Sequence, residues 1–231
     1  MSAQEFLNLY RELEEDLERY FQEKGRRSAS PVFDYMNSRE GQPFKEKLDV
    51  CREIRNLLSH HANISGEPVA EPAAVLNDFL REMIDHINQP PRAIDFATPA
   101  DSLLVTDGSR NVYDLMEIMD KRGFSHVPVV QNRRVTGIFS VSTIFSWELE
   151  NPEGSLSLST TVRDLQDYLP LSRRRIEQFL FATPELTCEQ ARTLFERRHR
   201  NRRVGAIFIT RTGDESGELL GMLTPWDLFR Q

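Results

Sequence analysis

The chain has 231 residues, 39% of them hydrophobic, and a formal charge of −7 at pH 7. That length suits one large domain or two modest ones around packed cores, and the acid excess argues against general coating of nucleic acid. The excess is amino-terminal: the first 90 residues hold 11 Lys and Arg against 17 Asp and Glu, the remainder 18 against 19. No apolar run is long enough to cross a bilayer and no basic-then-apolar leader opens the chain, so a soluble, cytoplasmic protein is expected. Cys51 and Cys188 lack the local spacing of a zinc or redox motif, and each is expected to pack as a small apolar residue.

From residue 3 to 24, Phe6, Tyr10, Leu13, Leu17 and Tyr20/Phe21 recur at helical spacing in an acidic background. Gly25 to Pro31 breaks this helix, and Pro31 suits the opening of a short second one around Phe33 and Met36. A third helix is expected from Pro43, turning Phe44, Leu48, Cys51, Ile54 and Leu58 inward and stopping across residues 60–66. The fourth runs from Pro72 to about Asn88 with Val75, Phe79, Met83 and Ile87 facing in, and Pro90-Pro91 ends the helical pattern. Four short-linked helices close a core as a bundle. The expected boundary therefore lies at about residue 90.

Within the third helix, Asn56 and His60 lie four apart on one face, and Arg55 is long enough to swing beside them. A cation, an amide and an imidazole at a helix end suit holding a phosphodiester and moving a proton near neutral pH. Equally, Arg and His late in a helix complement its negative end. The order Arg-Asn, three residues, His resembles the signature of HEPN domains, small helical bundles among which are metal-independent ribonucleases acting as paired chains. The resemblance implies Arg55 on phosphate, Asn56 orienting, His60 as general acid or base, a homodimer, and RNA as a partner. His60 and His61 are not expected to bind metal, because neighbouring helical residues point apart.

The rest of the chain is organised by a repeat. Gly221-Met222-Leu223-Thr224-Pro225-Trp226-Asp227-Leu228-Phe229 echoes Gly137-Ile138-Phe139-Ser140-Val141-Ser142-Thr143-Ile144-Phe145. Two apolar residues after glycine suit the end of a buried strand, and Thr followed three residues later by Asp suits a helix start. Such a corner is either a plain N-cap or a place where a hydroxyl, a carboxylate and helix amides meet a sugar and its phosphate. Each corner follows an apolar strand, residues 127–130 and 206–209. Each strand follows an amphipathic helix, with Val112, Leu115, Met116 and Met119 on one face in the first unit and Ala191, Leu194 and Phe195 in the second.

Two strand-helix-strand-strand-helix units of this kind resemble a pair of CBS domains, covering about 91–150 and 160–231. With the helical bundle before it, the fold class is α plus α/β. The resemblance implies an adenine nucleotide or related adenosine derivative such as AMP or ATP as a regulatory ligand, its ribose held by Thr224 and Asp227. Met222, Ser140 and His126 complete the candidate ligand-binding set. Thr143 stands where Asp is expected in the first corner, so one competent site is expected. His126 is either a strand-edge residue open to water or one reaching the ligand phosphate.

Residues 151–160 read as the link between repeats, and Thr161 to Leu165 as the lead-in of the second. Ser109 is placed near the start of the first repeat's helix, and Thr187 with Gln190 makes a capping box for the second's. The basic run Arg197 to Arg203, with Arg133-Arg134 and Arg173-Arg174-Arg175, is either a solvated helix end or an attractor of phosphates or RNA, although no aromatic residues alternate with it. The expected function is a nucleotide-sensing regulatory protein whose helical domain is a ligand-controlled ribonuclease. The alternative is a non-catalytic nucleotide-binding module with a helical dimerisation or partner-binding domain.

Overall fold

The computed structural model describes residues 3–60, 70–173, 176–197 and 202–228. The chain divides into two compact units, Met1–Pro91 and Arg92–Gln231.

The first unit is all helical: α1 (Ala3–Glu23), α2 (Pro31–Met36), α3 (Lys45–His60) and α4 (Ala74–Asn88). The α1 stripe Phe6, Tyr10, Leu13, Leu17 and Phe21 is buried along its whole length against Tyr35 and Met36, Leu48, Cys51 and Leu58, and Phe79, Leu80 and Met83. Gly25, at a φ of 71°, ends α1 in the left-handed region, where Arg26 N–H reaches the Phe21 carbonyl at 2.8 Å. Gly41 is needed for a different reason: a Cβ there would lie 2.0 Å from the Tyr35 carbonyl oxygen. One inward assignment is corrected, that of Val75. Phe33 is exposed, with Val32, Tyr35 and Met36 facing in, and Val75 is 66% exposed. On α4 the buried stripe is Phe79, Leu80, Met83 and Ile84, with Leu76 and Ile87 packed against it, and Val75 lies in the first turn at the edge of that stripe.

In the second unit, a short strand β1 (Thr98–Pro99) precedes α5 (Val112–Arg122), the hairpin β2 (His126–Gln131) and β3 (Arg134–Ser140), and α6 (Val141–Glu150). Then follow β4 (Glu177–Ala182), α7 (Cys188–Glu196), β5 (Arg203–Thr210), β6 (Leu219–Leu223) and a single 3-10 turn, Pro225–Leu228. One sheet has the order β1-β6-β5-β4, with β4 and β5 parallel and the other pairs antiparallel; β2 and β3 form the other. Asn132 and Arg133, both at positive φ, make the two-residue hairpin turn whose twist suits flanking strands. Asn111, two residues after Ser109, caps α5 by accepting from the Tyr113 and Asp114 amides, and Thr187 and Gln190 close the capping box of α7.

Two departures from the expected repeat share one cause. The opening strand of the first repeat is reduced to Thr106, which bridges Val129 in parallel before the chain turns at Gly108 (φ 95°). The strand β1 just before it pairs instead with β6 of the second repeat, where Ala93 and Ala97 enter the core formed with Ala191, Ile207 and Leu223. Conversely, the lead-in assigned to the second repeat packs in the first: Val162, Leu165 and Leu169 are buried with Val112, Leu115, Val127 and Phe139. Backbone bonds fix both crossings, Ala93 N–H to Leu186 O at 2.7 Å and Val162 N–H to Arg110 O at 2.9 Å. Each repeat thus completes its core with the segment that precedes the other. A third core, including Ile138, Phe179, Ala206, Phe208 and Met222, lies between strands of the two repeats.

Candidate functional site

The second corner follows directly from its sequence. As β6 ends, Thr224 leaves the strand, Pro225 opens a 3-10 turn, and Asp227 folds back three residues later. Its Oδ2 accepts from both the Thr224 N–H and the Thr224 hydroxyl, each at 2.7 Å. The carboxylate is therefore engaged with the corner's own donors, yet Thr224 and Asp227 remain half-buried at the surface. The hydroxyl spends its proton on Asp227, so its lone pairs are what Thr224 offers to a visitor. The same arrangement recurs at Thr161 and Asp164, where Oδ2 accepts from the Thr161 N–H at 2.7 Å and its hydroxyl at 2.8 Å. Those bonds, the backbone one foremost, hold Asp164 below the ordinary carboxylate range.

The first corner is built otherwise. Thr143 is fully buried and its Oγ1 accepts from the Ser140 N–H at 2.9 Å; Ser140, 1% exposed, shares a 2.8 Å bond with the Ser142 hydroxyl. Ser140 acts as a cap in this corner. It borders an apolar pocket of about 610 Å³ walled by Met116, Met119, Phe124, Phe139, Ile144 and Phe145. Met222, another of the candidate residues, packs in the core between the repeats.

Beside the second corner lies a cleft of about 490 Å³, lined by Thr224, Pro225 and Trp226, by Ile176 and Glu177, by Arg203 to Gly205, and by Ser125 and His126. Trp226 is 76% exposed and Ile176 is also open to solvent. His126 is not the water-exposed edge residue of one reading: its side chain is only 10% exposed. The ring lies edge-on to Phe179, its Nδ1 is 2.8 Å from the Ser125 hydroxyl, and its Nε2 is 3.2 Å from Glu177 Oε2. Gly205 makes room for it, since a Cβ there would come within 3.0 Å of the Phe179 ring and 3.3 Å of His126 Nε2. Of the basic run, Arg203 lines this cleft, while residues 198–201, like Arg174 and Arg175, lie outside the described residues. Arg133 pairs with Glu218 at the hairpin end.

In the helical unit, Arg55 and Asn56 stand side by side on α3, with Arg55 Nη1 donating to Asn56 Oδ1 at 3.2 Å. The other guanidinium nitrogen pairs with Glu14 at 3.1 Å, and the group lies 5.6 Å from the centre of the Tyr10 ring. Burial pushes the Tyr10 hydroxyl well above its ordinary range, so it stays a neutral wall. These residues line a polar cleft of about 410 Å³ with Ser30, Phe33 and Arg52. His60 closes α3, but its side chain, like His61, lies outside the described residues. Among the described residues no group of three or more His, Cys, Asp or Glu is placed to hold a metal ion, and no helix is long and apolar enough to cross a membrane.

The CBS domain family matches this chain twice, at residues 95–150 and 173–231. The carboxy-terminal unit is a pair of CBS domains. No curated protein matches the chain. Among solved structures it is similar to CBSX2 of Arabidopsis thaliana (22% identity, 61% of this chain and 92% of that one, TM-score 0.42), a protein also solved in complex with AMP. It is also similar to a putative acetoin utilization protein of Vibrio cholerae (17%, 60% and 87%, 0.43) and to CbpB in complex with c-di-AMP (14%, 59% and 80%, 0.42).

Three residues of the CBS cleft carry no signal in the sequence: Glu177, Ile176 and Gly205. Glu177 meets His126 only because β4 and β2, 51 residues apart, are brought together by the fold. Gly205 stands in an apolar strand, and the one cue it offers is that a glycine there weakens a strand unless something approaches closely.

Proposed function

We propose that the CBS pair is a regulatory module holding an adenosine-type nucleotide at the second corner. The observation that carries this reading is that Thr224 and Trp226 open onto the same cleft as Ile176, Arg203 and His126. At about 490 Å³ the cleft is within the roughly 300–1,000 Å³ range of small-molecule sites. Ribose hydroxyls donate to the Thr224 lone pairs and to the outer oxygen of Asp227. Trp226 and Ile176 supply flat and apolar walls for a base. Arg203, with His126 behind it, meets the phosphate. The family model finds CBS domains in the segments that carry these residues, which supports the reading. Calorimetric titration of the whole chain with AMP, ADP, ATP, adenosylmethionine and c-di-AMP tests it. One site per chain for at least one of them is expected, and silence with all five overturns the proposal.

The helical unit carries a second reading, ligand-controlled cleavage of RNA by a homodimer. Arg55 and Asn56 side by side on an open polar cleft support it, and the exposed apolar residues Val141, Phe145 and Leu149, one turn apart on α6, support pairing of chains. Glu14 occupies the guanidinium that a phosphate requires, so RNA must displace it. A nucleotide in the CBS cleft controls this step by favouring one arrangement of the helical units, with residues 89–92 as the connection. Single-stranded RNA incubated with the chain in EDTA is expected to be cut, at a rate that differs with and without AMP. Arg55→Ala and His60→Ala are each expected to slow cutting about 100-fold or more. No cutting by the parent chain leaves the helical unit as a dimerisation or partner-binding domain.

A further inference from the structure

We infer that Phe33 is the platform on which one base of the substrate stacks, so that the helical unit takes unpaired nucleotides and not a duplex. This deepens the RNA-cleavage reading above and rests on it. The short helix α2 turns Val32, Tyr35 and Met36 into the core and leaves Phe33 47% exposed. A single apolar residue on a surface calls for no explanation. This one lines the polar cleft that also holds Arg52, Arg55 and Asn56, and there an aromatic face has a use.

Arg52 completes the platform. Its guanidinium lies 5.8 Å from the centre of the Phe33 ring and is held by Asp49, whose Oδ1 accepts from Nε at 3.1 Å and from Nη2 at 2.8 Å. An aromatic ring with an arginine beside it attracts a base through its π face and a phosphate through the charge. Ala29 and Ser30 line the same cleft with side chains too small to fill it. A base inside a duplex is covered above and below by its neighbours, so only an unpaired, splayed one presents a face to Phe33. Acidic residues outnumber basic ones in the first 90 residues, which weakens any grip by charge alone, and stacking supplies affinity that does not depend on charge.

Fluorescence anisotropy of the full chain with two labelled single strands of equal length tests this: a 2′-O-methyl oligonucleotide, and an abasic strand that keeps sugars and phosphates but no bases. Neither strand carries a free 2′-hydroxyl, so neither is cut during the titration. The parent is expected to bind the base-bearing strand about tenfold tighter than the abasic one. Phe33→Ala is expected to lose about tenfold on the base-bearing strand and less than about twofold on the abasic strand, and Phe33→Trp to keep the parent's preference. Arg55→Ala, which removes the phosphate contact, is expected to weaken both strands alike. A duplex of the base-bearing strand is expected to bind the parent and Phe33→Ala equally. A Phe33→Ala variant that matches the parent on the base-bearing strand overturns the inference. So does one that loses both strands by the same factor, because that result makes Phe33 a prop for Arg52. A parent that binds the two strands equally, with Arg55→Ala weakening both, keeps the phosphate contact and discards the platform. A parent that binds neither strand removes the RNA reading itself, and the inference falls with it.

Discussion

Replacing Leu165 with alanine is expected to destabilise the first CBS repeat by about 2–5 kcal/mol, although the residue stands in the segment leading to the second. The side chain is 1% exposed and sits among Val112, Leu115, Val127 and Phe139. Truncation leaves a hole that Val162 and Leu169 cannot close, because the backbone on either side is pinned. Arg163 N–H bonds the Gly108 carbonyl at 2.8 Å, and Ile138 N–H bonds the Leu169 carbonyl at 2.9 Å. Trp147 packs against this same core and is one of only two tryptophans in the chain. Urea unfolding followed by Trp147 emission in a Trp226→Phe background therefore reads this unit without interference from the helical one. A change within about 0.5 kcal/mol is what a mere linker gives, and that result contradicts the exchange of segments between repeats.

Asp227→Ala is expected to weaken nucleotide binding about 10- to 100-fold, as the loss of charge-assisted hydrogen bonds to a sugar implies. Two effects combine. The outer carboxylate oxygen is lost to the ribose, and Thr224, released from Asp227, no longer holds its hydroxyl with the lone pairs turned outward. The corner also loses a cap, at a cost of about 1 kcal/mol of stability. Asp164→Ala separates these contributions, because Asp164 caps Thr161 with the same bonds in a segment that does not line the cleft. It is expected to lower stability by a similar amount and leave affinity unchanged, as calorimetry on both variants will show. Equal losses of affinity in the two would mean that the corner acts only through folding.

What could be read in the sequence is what local spacing controls. The α1 stripe, the stop at Gly25, the capping box at Thr187 and the corner at Thr224 each depend on residues within one or two turns, and each stands where the pattern put it. Val75 was misplaced for a related reason: α4 carries apolar residues at 75, 76, 79, 80, 83, 84 and 87, and two overlapping stripes fit that run until α1 selects one. The exchanged lead-ins were not legible, since nothing in the order of the chain says that residues 161–169 belong to the preceding core. His126 presents the same limit. Its burial is imposed by Phe179, Glu177 and the space at Gly205, all supplied by the other repeat. The corner motif gave Thr224 and Asp227, but the walls that make a cleft of it come from strands elsewhere in the chain.

The central claim is that a nucleotide sits against the second corner, and Trp226 reports on it directly. In a Trp147→Phe variant Trp226 is the sole tryptophan, and its indole is exposed on the cleft wall. Titration with AMP is expected to change its emission in a saturable way, with a midpoint matching the calorimetric one. Emission that stays constant while calorimetry shows AMP binding would place the ligand elsewhere and contradict the account.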